Sequence, residues 1–305
     1  MQYDKATTYR PAQDATTRVK TSGNIIEVMT TEHKSRGGTT RKIDKDSYMD
    51  TRTGEVKDYQ HHETRADDVN SVSRSLAYGR DLLNANVTDP THCRWLTLTY
   101  AENMQDPARL QEDFERFNRR CRKDFGHYEY ITAAEPQARG AWHLHVVMIW
   151  NGQAPYIPNA EVARMWGKGF VQIKALENID NVGAYLTAYL ADIAVPDDMP
   201  TETAERVGTV KTVDSKRYIK GMRLHLYPAQ MHIFRWSKGV RRPTVTYMTY
   251  QQAKEQVGAA TPTYQKAIHM TDDYTGYENT LYYEYYNTAR TSCQADNDRS
   301  TLVTD

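Results

Sequence analysis

The chain has 305 residues and a mass of 35.2 kDa, enough for one large domain or two modest ones. A mean hydropathy of −0.78, no apolar run near the roughly 18 residues of a membrane-spanning helix, and no apolar stretch near the first residue exclude a membrane protein and a secretory signal. The 3 cysteines are far apart and form no CxxC pair, so a disulfide scaffold or cysteine zinc site is excluded and a reducing, cytoplasmic location is expected.

The 39 basic and 39 acidic residues cancel over the whole chain but not locally. The basic segment, residues 206–242, holds a single acid, Asp214, and a dense set of cations: Arg206, Lys211, Lys216, Arg217, Lys220, Arg223, Arg235, Lys238, Arg241 and Arg242. Aromatic residues, among them Trp236, are interleaved with these cations. Cations bind phosphates and rings stack on unpaired bases, so the segment predicts nucleic-acid binding. The alternative is a solvated basic loop.

Residues 1–40 are polar and lack a hydrophobic period, which is typical of a disordered arm. Residues 47–59 predict two short strands around a Thr-Gly turn, and residues 66–86 a helix. Asp106-Pro107 predicts the start of an amphipathic helix that ends at Gly126. Apolar alternation predicts strands over residues 95–100, 128–135, 141–150, 170–175, 223–227 and 232–236. A second helix is expected from Asp180 to about Ile193. This order predicts an α+β fold, an antiparallel sheet with helices packed on it.

The loop at residues 136–140 makes a hairpin of two of these strands. His143 and His145 are two residues apart on the second strand, so both imidazoles point to one face. Glu135 ends the partner strand and can reach that face. Two imidazoles and a carboxylate leave open positions on a divalent ion for a phosphate oxygen and water. The alternative is a pair of hydrogen-bonded histidines near the core.

The helix predicted to follow Asp180 carries Tyr185 and Tyr189, four residues apart and therefore on one side. A tyrosine phenolate can attack phosphorus and form a covalent phosphotyrosine ester, provided that a nearby cation helps the phenol to ionise. The alternative is that both rings simply pack against the sheet.

Three of these segments resemble, in order, the motifs of rolling-circle replication initiators, the Rep proteins of the His-hydrophobic-His endonuclease superfamily. They are WLTLTY at 95–100, HLH at 143–145 with Glu135 ahead of it, and YLTAY at 185–189. The resemblance covers about residues 42–243 and is greatest to the branch from bacterial plasmids, phages and integrative elements.

The resemblance implies a central antiparallel sheet of about five strands and a Mg²⁺ or Mn²⁺ ion on His143, His145 and Glu135. It also implies nicking and rejoining of single-stranded or cruciform origin DNA through a 5′-phosphotyrosine on Tyr185 or Tyr189, with host helicase and polymerase as partners. DNA contacts are expected from Trp236 and a set of cations: Arg139, Lys174, Lys216, Arg217, Lys220, Arg223, Arg235, Lys238, Arg241 and Arg242.

The predicted domains are an arm (1–40), an extension with a hairpin and a helix (41–90), the nuclease domain (91–245) and an acidic, tyrosine-rich tail (246–305). The chain departs from the family pattern where a lysine normally follows each tyrosine, since Ala188 and Asp192 occupy those positions. Lys174 or a lysine of the basic segment is a candidate replacement. A relaxase or transposase with the same chemistry, and an origin-binding protein that does not cut, are the competing functions.

Overall fold

A computed structural model describes most of the chain. The residues it describes are 2–6, 9–33, 39–59, 69–137, 139–176, 193–194, 210–213, 216–219, 226–228, 231–272 and 276–290. They form two compact units, each described by itself below. The first unit combines residues 1–61 with residues 243–305, and the second unit contains residues 62–242.

In the described part the helices are α1 (Val69–Asn86), α2 (Pro107–Phe125), α3 (Asn159–Trp166) and α4 (Tyr250–Val257). The strands of the first unit are β1 (Gln2–Ala6), β2 (Thr16–Ser22), β3 (Ile25–Thr31), β4 (Thr40–Lys42), β5 (Ser47–Asp50), β6 (Val56–Asp58), β15 (Thr244–Thr249), β16 (Pro262–Asp272) and β17 (Tyr277–Asn287). Those of the second unit are β7 (Cys93–Leu98), β8 (Glu129–Pro136), β9 (Trp142–Ile149), β10 (Val171–Ala175), β11 (Ile193–Ala194), β12 (Val210–Val213), β13 (Lys216–Ile219) and β14 (Phe234–Trp236).

The second unit is built on a five-stranded antiparallel sheet in the order β10-β7-β9-β8-β14. The prediction of an α+β fold with an antiparallel sheet of about five strands is thereby confirmed. Strands β11, β13 and β12 form a separate small sheet. Helix α1 packs against β14 so closely that a Cβ at Gly79 would overlap the Phe234 ring.

Helix α2 begins and ends as its sequence predicts. The Asp106 carboxylate accepts hydrogen bonds from the backbone N–H groups of Ala108 (2.8 Å) and Arg109 (3.3 Å), and proline occupies the first helical turn. Gly126 ends the helix with a φ of 79°. The buried side chains recur at helical spacing and join the core of the sheet: Leu110, Phe114, Phe117 and Cys121.

The first unit contains a six-stranded sheet in the order β1-β16-β17-β3-β2-β15 and a small sheet of β4, β5 and β6. Its core forms where α4 packs on the six-stranded sheet, around Val19, Val28, Ala253 and Tyr286. The capping box of Thr249 and Gln252 defines the start of α4, since each side chain bonds the other residue's backbone N–H.

Two predicted segments are corrected by this unit. Residues 1–40, expected as a polar arm, contain β1, β2 and β3, because Val19, Ile26 and Val28 find burial against distant strands. Residues 246–305, expected as a tail, contain α4, β16 and β17 in their described part. The short hairpin predicted within residues 47–59 is confirmed by β5 and β6.

The remaining predicted elements have mixed outcomes. The helix over 180–193 lies outside the described residues, except for its last residue, which belongs to β11. The strand over 223–227 also lies mostly outside them, and the strand over 232–236 is shortened to β14. Cys93 and Cys121 are buried free thiols. Among the described residues, no helix is both long and apolar enough to cross a membrane.

A buried carboxylate connects three parts of the second unit. Asp113 on α2 is completely shielded from solvent, and its oxygens accept hydrogen bonds from the Tyr100 hydroxyl (2.9 Å) and the Arg116 guanidinium. The Lys168 ammonium lies 3.1 Å from the same carboxylate. Burial alone would raise the pKa of Asp113, but the hydrogen bonds from Arg116, Tyr100 and Lys168 hold it below its usual value.

We expect Asp113→Asn to lower the free energy of unfolding by about 2–3 kcal/mol, somewhat less than for a fully buried ion pair because Arg116 is half-exposed. The folded-state pKa is depressed, so the charge stabilises the fold above the unfolded pKa of about 4 and the benefit is lost as pH falls through the lower folded value. Urea unfolding followed by tryptophan fluorescence measures this, since all 5 tryptophans lie within residues 62–242.

Asp124→Asn is the matched control on the exposed side of the same helix, expected to change stability by less than about 0.5 kcal/mol. Equal effects of the two variants, or a difference that does not shrink at acid pH, would contradict this role of Asp113.

Candidate active site

The register of β8 against β9 brings the predicted ligands together. Glu135 pairs directly with His143, and Ala133 pairs with His145, so the three predicted side chains share one face of the sheet. The connecting loop closes through hydrogen bonds from the Gln137 N–H to the Ala141 carbonyl and from the Gly140 N–H to the Gln137 carbonyl, both 2.8 Å. Gly140 has a φ of 88°, a conformation that favours glycine.

His145 is held at both ring nitrogens. Its Nε2 lies 2.6 Å from a Glu135 carboxylate oxygen, and its Nδ1 lies 3.3 Å from the Thr97 hydroxyl on β7. With Nε2–H donating to the carboxylate and Nδ1 accepting from Thr97, the ring is neutral. The Trp95 ring lies 5.7 Å from the imidazole, centroid to centroid. Only 17% of the His145 side chain and 12% of the Glu135 side chain are exposed.

His143 is bound less completely. Its Nε2 is buried and has no hydrogen-bond partner within the described part of the chain. Burial lowers the pKa of His143 to about 4, with a smaller contribution from the positive charges of His145 and Arg139. Burial also lowers the pKa of His145 to about 4. Both rings are therefore neutral at physiological pH and have lone pairs suited to a metal.

The three side chains do not converge as a preformed metal cage. Within the described ranges, no three His, Cys, Asp or Glu side chains are placed to hold a metal ion together. Instead, the Glu135–His145 hydrogen bond occupies the space between two of the donors. The donor set nevertheless fits Mg²⁺ or Mn²⁺ chemically, since loss of one proton from His145 would free its Nε2, and the buried His143 Nε2 lacks a partner in the described part of the chain.

Two of the predicted DNA-binding residues lie on the same face as the imidazoles. On β10, Gln172 pairs with Thr97 and Lys174 pairs with Trp95, which places the exposed Lys174 one residue pair further along the sheet. Trp236 on β14 also points to this face, with its ring 5.7 Å from that of Tyr78 on α1. Arg235 lies on the opposite face, beside Leu110 of α2.

The other predicted DNA-binding residues are spread along loops and the small sheet. Arg139, Lys238, Arg241 and Arg242 are exposed. Asn86 fixes the Arg241 backbone, accepting from its N–H (2.9 Å) and donating to its carbonyl (2.8 Å). Lys216 and the half-buried Arg217 begin β13. Four predicted residues lie outside the described residues: Tyr185, Tyr189, Lys220 and Arg223.

The sequence reasoning missed the roles of Thr97 and Trp95. Both belong to the WLTLTY strand, and both point to the face of the imidazoles because Thr97 pairs with His145 and Trp95 with Val147. The alternation of that strand was a usable signal, since it separates Trp95, Thr97 and Thr99 from the buried Leu96 and Leu98. Which of the two sets faces the histidines depends on strand pairing.

Comparisons with known proteins support the motif assignment. Residues 93–193 match the family model described as replication-associated protein ORF2, which is about a third of the chain. This segment runs from β7 through β10 and contains Glu135, both histidines and both tyrosines. No curated protein and no solved structure matches the chain. The chain therefore carries a replication-associated domain of this family over these residues.

The unequal bonding of the two histidines gives opposite stability predictions. We expect His143→Leu to raise the free energy of unfolding by about 1 kcal/mol, because it removes a buried nitrogen without a partner in the described part of the chain. His145→Leu should lower it by about 1–3 kcal/mol, because it removes a partner from both Glu135 and Thr97. Urea unfolding with EDTA present measures both, and changes of the same sign would show that the bonding difference has no energetic weight.

Proposed function

We propose that the protein initiates replication of a mobile element by nicking and rejoining single-stranded origin DNA. The observation that carries the proposal is the placement of Glu135, His143 and His145 on one face of an antiparallel sheet, inside the segment that matches the replication-associated family. Two neutral imidazoles beside a carboxylate suit a phosphate-binding metal site better than a structural core, where a His143 nitrogen without a partner among the described residues would only cost stability.

In this proposal His143, His145 and Glu135 hold Mg²⁺ or Mn²⁺. Bound there, the ion would polarise the scissile phosphate as a Lewis acid. The Thr97 hydroxyl keeps the His145 ring oriented through Nδ1, as outer hydrogen bonds orient metal-binding histidines in general. Trp95, packed beside the same ring, helps to exclude water from it.

Tyr185 or Tyr189 is the proposed nucleophile. The phenolate oxygen forms a bond to phosphorus, the bond between phosphorus and the 3′-oxygen breaks, and the 3′-oxygen takes up a proton. The DNA is then joined to the tyrosine through its 5′-phosphate, and the free 3′-hydroxyl primes synthesis. The reverse reaction rejoins the strand. Lys174, exposed on the imidazole face, is the proposed cation in place of the lysine that Ala188 and Asp192 replace.

Origin DNA in single-stranded or cruciform form is the proposed substrate. The proposed contacts are Trp236, Arg139, Lys174 and the cations of the basic segment, of which Arg241 and Arg242 are exposed. Host helicase and polymerase would open and copy the DNA, because the sequence has no GxxxxGK[ST] phosphate-binding loop of its own. The reaction would take place in the cytoplasm.

The test is formation of a covalent adduct with origin-containing single-stranded DNA and Mn²⁺, detected on a denaturing gel. We expect adduct with the wild-type chain, and none with the double variant Tyr185→Phe, Tyr189→Phe, since both nucleophiles are then removed. His143→Ala and His145→Ala should each reduce the rate by at least about a hundredfold. Lys174→Ala should reduce it about tenfold, because a charge of this kind assists without forming the bond.

Tyr156→Phe is the matched control, because Tyr156 is 84% exposed and lies outside the site. Adduct that persists in the double tyrosine variant would place the nucleophile elsewhere. Origin binding that survives EDTA, with no adduct under any metal, would instead favour an origin-binding protein that does not cut. Joining of two different DNA ends would favour a transposase.

A further inference from the structure

The six-stranded sheet of the first unit has two faces of different character. Helix α4 covers one face, where Val19, Val28 and Tyr286 are buried against Ala253. Successive residues of a strand point to opposite faces, so the residues between these buried ones point away from α4. That second face, here called the tyrosine face, has no role in the proposed nicking reaction.

Strand register defines what the tyrosine face displays. Two rows of side chains cross the sheet from β15 through β2, β3 and β17 to β16. The first row is Tyr247, Arg18, Met29, Tyr283 and Lys266. The second row is Val245, Lys20, Glu27, Tyr285 and Tyr264. Tyrosine rings and cations therefore alternate across the sheet.

The rings at the two ends of these rows are open to solvent. Tyr247 is 71% exposed and Tyr264 is 52% exposed, which is unusual for rings of this size on a sheet. Tyr264 also packs edge-on against Tyr283, with 6.3 Å between ring centroids, so its orientation is partly fixed. Four strand spacings separate Tyr247 from Tyr264, about 19 Å, a length that accommodates several nucleotides of a single strand.

The charges of the tyrosine face favour an anion. The carboxylate that these two rows contain, Glu27, is neutralised by the Lys20 ammonium 2.8 Å away. Arg18 and Lys266 have no ion-pair partner anywhere in the described ranges, so both guanidinium and ammonium are available for phosphates. Uncompensated cations beside exposed aromatic rings match the two needs of a single strand, whose bases stack and whose phosphates need counter-charge.

We infer that the tyrosine face binds single-stranded DNA, with Tyr247 and Tyr264 stacking on bases and Arg18 and Lys266 contacting phosphates. A duplex fits less well, because its bases are already stacked and a flat sheet face cannot enter a groove. The choice of DNA as the strand rests on the proposed function, whereas the stacking and phosphate contacts follow from this unit alone.

The test measures binding of the full-length chain to fluorescent oligo-dT in EDTA, a condition in which neither an origin sequence nor the metal reaction contributes. We expect Tyr247→Ala with Tyr264→Ala to weaken binding about tenfold or more, through the loss of two stacking platforms. Arg18→Gln with Lys266→Gln should reduce the slope of log K against log salt by about 0.7 for each phosphate that the variant no longer neutralises. Duplex of the same length should bind more weakly throughout.

The controls are Tyr156→Ala in the second unit and Lys45→Gln in the first, whose side chain is 88% exposed and lies outside the two rows. Both should bind as the wild type does. Photocrosslinking of wild-type protein to oligo-dT containing 5-iodouracil provides a readout that needs no variant, and crosslinks at Tyr247 or Tyr264 are expected.

Crosslinks confined to residues 62–242, or unchanged affinity in the folded double tyrosine variant, would overturn the inference. So would a wild-type dimer that the tyrosine substitutions dissociate, because the face would then be an interface between two copies. Failure of the nicking proposal has a different signature, the absence of adduct from wild-type protein that still binds oligo-dT through this face.

Discussion

The register between β8 and β9 is the constraint on which the candidate active site depends. It places Glu135 directly opposite His143 and leaves His145 within 2.6 Å of the same carboxylate. A slip of one residue would turn every one of these side chains toward the opposite face of the sheet. Burial on both faces prevents such a slip, since Leu144 is 5% exposed and Val147 is fully buried. The chemistry is thus positioned by packing that takes no part in it.

Local sequence patterns account for much of the second unit. The Asp106 cap, the helical spacing in α2 and the hairpin before His143 are short-range features, and each was predicted in place. The contact of His145 with Thr97 was not, because it joins residues 48 apart through the pairing of β7 with β9. Tyr185 and Tyr189 lie outside the described residues, so the choice of nucleophile stays a prediction from the motif.

The first unit was predicted poorly for a physical reason. Strand β17 carries Tyr282 and Tyr286 toward α4 and Tyr283 and Tyr285 toward the other side, so tyrosines on both faces conceal the alternation of a half-buried strand. Strands β2 and β3 are joined to β15 and β17, more than 200 residues later in the chain. No local pattern reports pairing at such separation, which is why both chain ends looked like polar extensions.

The central claim is that a divalent ion replaces the direct Glu135–His145 hydrogen bond. Diffraction from crystals grown with Mn²⁺, recorded at the manganese absorption edge, tests it directly. The account predicts one anomalous peak within about 2.3 Å of Nε2 of His143, Nε2 of His145 and a Glu135 oxygen, with that hydrogen bond broken. The absence of a peak at saturating Mn²⁺, with the His145 ring still bonded to Glu135, would contradict it.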